Sequence, residues 1–182
     1  MNWLPPGPAR PDPAALDAFL ARAGLADDAA ARASAQVRWI GLDAPTTRSI
    51  FDLIRKGDKT GTFTLPWIVE RTGLAPPAPG QRLVLIDHDG RPVLLLRTTE
   101  VREVVFGRVT ADDIAIDGSP VRDPAIWRPL HTRYWNALLR PFGLAVSDDM
   151  PFWAERFALL FDADAGRTGA GPADARGADR SA

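Results

Sequence analysis

The chain has 182 residues, 46% apolar and 25% charged, enough for one domain with a sizeable core and short for two. A formal net charge of -1 and a pI near 6.1 exclude the overall basic balance of proteins that grip long nucleic-acid duplexes, leaving only a local cationic pocket for a nucleotide or short strand. There is no cysteine, hence no disulfide or thiolate zinc site, and His88 and His131 lie too far apart in the sequence to suggest a metal centre, so neither metal nor cofactor is expected. The amino terminus lacks the apolar stretch of a signal peptide, and no run of about 18 apolar residues occurs, so the expectation is a cytoplasmic protein that does not enter a membrane.

Residues 1–11 carry four prolines and read as an extended lead-in. A helix follows, with Asp12 as cap, Pro13 in the first turn, and Leu16, Phe19 and Leu20 on one face. After a second, Ala-rich stretch, Asp43 or Thr46 caps a helix carrying Ile50, Phe51 and Ile54 at helical spacing, which Gly57 stops. The alternating, β-branched segment TGTFTLPWIVE predicts a strand. A hairpin turning at Asp89-Gly90 comes next, with a long second strand or strand pair running to Phe106. Asp123 caps a helix in which Pro129 introduces a kink or a delayed start, and ERFALLF reads as a closing strand. The tail from residue 163 lacks large apolar side chains and is expected to be disordered.

Both lysines, Lys56 and Lys59, fall in LIRKGDKTGTFTLPW, whereas every other cationic side chain is Arg. A partly buried Lys can lose its proton and act as a base, which Arg cannot, although Lys also binds phosphate as a point charge. Thr60, Thr62 and Thr64 follow at alternate positions, so in a strand they share a face opposite Lys59, and the two sets meet only if the turn reorients Lys59. The glycines do not fit a Walker phosphate loop. His131 sits among Trp127, Arg128 and Trp135, where it serves either a substrate edge or the core. Asp112, Asp113 and Asp117 read by themselves as solvated charge, and Trp67, Trp127, Trp135 and Trp153 as core or as a base-stacking wall.

Several ordered blocks resemble the ASCH domain family, which is related to the PUA-like RNA-binding barrels: GDKTGTFT, RTTEVREVVFGRVTADD, IWRPLHTRYW and SDDMPFWAERFALLF. The resemblance covers roughly residues 12–162. The family signature places an acid and an Arg after the Gly and Lys, where this chain has Thr62 and Thr64. One enzymatic branch similar to it also carries Thr at the first of these positions and removes an acyl group from the exocyclic amine of modified cytidine, using a Lys, a Thr three positions later and a Glu. The matching residues here are Lys59, Thr62 and, as a shorter carboxylate, Asp117.

What the resemblance implies is an α/β chain of the α+β kind, a PUA-like β-barrel with flanking helices, binding a nucleoside or short single-stranded RNA. Lys59, Thr62 and Asp117 are the candidate catalytic set, and Thr60, Thr64, Trp67, Arg97, Trp127 and His131 the candidate binding set. The implied activity is hydrolysis of an acylated cytidine or of RNA. The alternatives are a non-catalytic RNA-binding module, with Lys59, Thr60, Thr62 and Arg97 on phosphate or sugar, and a small-ligand regulatory domain.

Overall fold

The structure is a computed structural model and describes residues 4–165. Helix α1 (Pro13–Leu20) begins where the Asp12 side chain accepts hydrogen bonds from the Ala14 and Ala15 amides, and it buries Phe19 and Leu20. Helix α2 (Ala29–Ser34) is capped by Asp28 and leads into a short strand, β1 (Gln36–Arg38). Helix α3 (Ala44–Arg55) is capped by Asp43, which takes the Thr46 amide, and buries Thr47, Phe51 and Ile54. Strand β2 (Gly61–Thr64) ends sooner than the alternation predicts. Pro66, with its fixed φ and missing N–H, opens a helix, α4 (Pro66–Thr72), so Trp67 lies on a helix and packs against the core instead of continuing a strand.

The predicted hairpin is strands β3 (Arg82–Ile86) and β4 (Pro92–Val105). A short helix, α5 (Ala111–Ile114), carries a capping box between Thr110 and Asp113. Helix α6 (Pro124–Leu139) is a single element that includes Pro129, whose missing donor falls only in its second turn. Strand β5 (Pro151–Asp162) closes the sheet and begins earlier than ERFALLF suggests.

The five strands run in the order β1-β3-β4-β5-β2. All neighbours are antiparallel except β1 and β3, which pair in parallel with Val37 opposite Val84. Register shifts in the β4/β5 ladder at Leu95/Leu96 and Thr98/Glu100 are bulges of the sort that bend a sheet. The sheet curls until its two edge strands face one another across an open seam, bridged by the Arg38 guanidinium of β1 donating to Thr64 Oγ1 of β2 at 2.6 Å. Strand β3 is buried on both faces. Leu83 and Leu85 pack with Phe51 and Ile54 of α3, and Val84 and Ile86 with Phe19 and Leu20 of α1. A third cluster joins Phe152 of β5 to Trp127, Trp135 and Leu139 of α6.

Two segments read as peripheral are tied in. Leu4 of the lead-in packs against the α1 cluster, and the Ala9 amide donates to His88 O at 2.9 Å, so His88 sits half-buried at its hairpin tip. At the other end, the Ala163 amide donates to Val93 O at 2.9 Å, and Asp164 pairs with Arg55 and Arg91 at 3.1 and 2.9 Å. The rest of the expected tail, residues 166–182, lies outside the described residues. No helix among the described residues is long and apolar enough to cross a membrane.

Candidate functional site

Lys59 is placed by the end of α3. Gly57 adopts φ 71°, a left-handed conformation natural to glycine, and the chain reverses so that the Asp58 and Lys59 amides both donate to Leu53 O, at 2.9 and 3.1 Å. Next, the Thr60 amide donates to Ile116 O at 2.9 Å, which draws the segment after α5 against the start of β2. Gly61 permits that approach, since a Cβ there would lie 2.5 Å from Ile116 Cδ1 and 2.5 Å from Glu155 O. One residue beyond Ile116 comes Asp117, whose amide donates to Ile114 O and whose carbonyl accepts from Arg122 Nε at 2.7 Å.

Lys59 and Asp117, distant in sequence, thus form a buried ion pair in which Lys59 Nζ donates to Asp117 Oδ1. The residues are 5% and 8% exposed, and neighbouring Thr62 is 7% exposed. Of the three acids read as solvated charge, Asp113 caps α5, Asp112 is exposed, and only Asp117 is buried. Asp117 Oδ1 also accepts the Gly118 amide at 3.0 Å, whereas Oδ2 faces His131 Nε2 at 3.8 Å, beyond hydrogen-bond range. The hydrogen bond of Lys59 Nζ goes to Asp117 and not to Thr62.

His131 lies flat on Trp127, with ring centroids 4.0 Å apart, and its Nδ1 stands 3.0 Å from Trp127 O. A carbonyl only accepts, so Nδ1 carries the proton and Nε2 presents a lone pair. Burial pushes the imidazole pKa down to about 4 against the opposing pull of Asp117, so the ring is neutral at pH 7.

These groups share one cavity of about 440 Å³ at the seam between β1 and β2. Lys59, Thr62, Thr64, Asp117 and His131 line it, and Trp39, Ile68, Tyr134 and Trp135 supply much of its apolar wall. Thr62 and Thr64 both line the cavity, and so does Phe63 between them. Thr60 lies outside the cavity, because it precedes the strand and its amide and carbonyl are held by Ile116 and Phe157.

Three more of the expected binding residues lie outside. Trp67 turns with α4 into the core, Arg97 is exposed on β4, and Trp127, 0% exposed, backs His131 without reaching the cavity. The tryptophans on the wall are instead Trp39 and Trp135. Sequence reasoning missed a second polar cluster. Arg38 donates to Glu155 Oε1 at 3.0 Å and to Gln36 Oε1 at 2.9 Å, and Thr64 Oγ1 donates to Glu155 Oε1. Glu155 is 0% exposed and lies opposite Thr62 in the β2/β5 register. Its one sequence signal is an acid, next to Arg156, inside a largely apolar strand. Among the described residues no cluster of His, Cys, Asp and Glu could hold a metal ion.

A curled five-stranded sheet with a cavity at its open seam, and with Lys59 and Asp117 paired on the wall, makes this an α+β half-barrel domain with a small-molecule-sized chamber. Residues 39–160 match the family model for the ASCH domain, and the chain belongs to that family. Among solved structures, an ASCH domain from Lactobacillus crispatus JV V101 is 21% identical, with a TM-score of 0.70 over 81% of this chain and 94% of that one. Protein EF3133 from Enterococcus faecalis V583 is 22% identical, with a TM-score of 0.62 over 76% of this chain and 85% of that one. At these identities the likeness is one of fold. No curated protein matches the chain.

Proposed function

We propose that the protein is a hydrolase of a small acylated nucleoside, acting through Lys59, Thr62 and Asp117. The observation that carries the reading is the buried contact of Lys59 with Asp117 on the same cavity wall as Thr62. In the reaction, the proton that Lys59 Nζ holds against Asp117 Oδ1 passes to that carboxylate, the freed amine takes the Thr62 hydroxyl proton as Oγ1 adds to the amide carbonyl, and Asp117 stays hydrogen-bonded to the ammonium that forms. The C–N bond breaks, the amine leaves with the proton from Lys59, and a water then cleaves the acyl-Thr62 ester to free acid. The step requires Lys59 Nζ to reach Thr62 once substrate is bound, a contact that often tightens only in the complex.

Two features favour a small neutral substrate over an RNA strand. The cavity volume of about 440 Å³ falls in the range of small-molecule sites. Its two cations, Lys59 and Arg38, are each neutralised by a carboxylate, Asp117 and Glu155, which leaves little net attraction for phosphate.

The test is release of free acid from an N4-acylcytidine. Lys59→Arg should abolish turnover while leaving nucleoside binding largely intact, because the charge survives and the titratable amine does not. Thr62→Ser should keep some turnover and Thr62→Ala none. Absence of turnover by the wild type on every acylated nucleoside, with tight binding of short RNA that Lys59→Arg preserves, would replace the hydrolase by a binding module.

A further inference from the structure

Asp117 Oδ2 and His131 Nε2 face each other at 3.8 Å, and neither can donate to the other. The proton of His131 is committed to Trp127 O through Nδ1, and Asp117 Oδ1 is already occupied by Lys59 Nζ and the Gly118 amide. Both residues line the cavity, so two acceptors that cannot serve one another open into the same space. Unmatched acceptors in a half-closed site call for a donor from outside the chain. The imidazole cannot easily turn to supply one. It is stacked on Trp127 and edged by Phe63 and Trp135 at 5.4 and 5.0 Å, and a flip would strand its Nδ1 partner.

We infer that Asp117 Oδ2 and His131 Nε2 form a paired-acceptor slot that selects a ligand bearing an N–H donor, and in particular the exocyclic amine of a pyrimidine base. The assignment rests on the proposed nucleoside substrate and adds a specificity-determining residue, His131, to its site. An amide N–H satisfies one acceptor, and the free NH₂ of a hydrolysed product satisfies both. A carbonyl at the same position meets two lone pairs and is rejected, since sites built around a hydrogen-bonding partner discriminate strongly against analogues that leave buried groups unpaired.

Binding of cytidine, uridine and N4,N4-dimethylcytidine, measured by calorimetry, tests this without any need for turnover. The wild type should bind cytidine at least about tenfold more tightly than either analogue, which lack N–H donors at that position. His131→Phe keeps a flat ring on Trp127 and removes the acceptor, and should reduce the preference to within about threefold, while His131→Gln, which restores an acceptor oxygen, should recover part of it. Equal binding of the three nucleosides by the wild type, or binding of none, overturns the slot even if the variants do not fold. A preference that survives in folded His131→Phe removes His131 from it. The hydrolase reading fails separately: amine preference without turnover leaves the slot standing, and turnover without preference leaves the hydrolase standing.

Discussion

Burial sets the His131 pKa at about 4, below the ordinary 6.5, and gives this one residue a measurable influence on stability. Between these two values the unfolded chain binds a proton that the folded chain refuses, so unfolding is favoured as pH falls. The contribution is fully present above pH 6.5, declines by up to about 1.4 kcal/mol per pH unit, and levels off near pH 4 after a total loss of about 3 kcal/mol. The groups facing the ring are Asp117, whose charge eases protonation, Lys59, whose charge opposes it, and the apolar Phe63, Trp127 and Trp135. Denaturant titrations from pH 7.5 to 4.5 should show the wild type losing stability relative to His131→Phe as pH falls, and parallel curves would show that His131 does not titrate as its burial demands. The sequence carried Lys59 and Thr62 plainly, as a rare amine beside spaced hydroxyls, but Asp117 needed the resemblance. Its burial depends on the Thr60 amide binding Ile116 O, a contact between segments far apart in the chain.

The seam between β1 and β2 is closed by side chains, not by a ladder, and Arg38 is its centre. Removing Arg38 leaves the Glu155 carboxylate buried with Oε1 held by Thr64 alone and Oε2 already without a partner. Arg38→Met should therefore destabilise by about 3–5 kcal/mol, the range for breaking one side of a buried pair, and Arg38→Met/Glu155→Met should recover a large part of it. Chemical denaturation of the two variants measures both values. A loss below about 1 kcal/mol in the single variant would mean that water enters the seam and solvates Glu155. At this scale the capped helices α1, α3 and α6 and the β3/β4 hairpin were legible, because Asp12, Asp43, Asp123 and Asp89-Gly90 mark their boundaries. Strand β1, at three residues, is too short for any period to show. Helix α4 was read as strand because its Ile68-Val69 pair has high β propensity, while Pro66 in the first turn and Gly73 at φ 67° set the helix that forms.

Across the whole molecule, the cavity draws on more of the chain than the segment that matches the family. The match starts at residue 39, yet Gln36 and Arg38 of β1 and Leu4 and Pro5 of the lead-in also line the chamber. The lead-in reaches that position because the Ala9 amide is tied to His88 O, and because Gly90 lets it pass closely: a Cβ at Gly90 would lie 2.7 Å from Arg10 O. Deleting residues 1–11 spares the Asp12 cap of α1 and should leave the fold intact, with a stability loss of roughly 1–2 kcal/mol from the apolar contact of Leu4. The cavity, by contrast, loses two wall residues and opens to water, which weakens every polar contact made inside it. Cytidine affinity should fall by about tenfold in the truncated protein, mainly through faster dissociation, since an opened site releases ligand more readily. Thermal melting and calorimetry on the same preparation separate the two effects. Unchanged affinity with a lowered melting temperature would make the lead-in a structural strap alone and confine the chamber to β1, β2 and the helices around them.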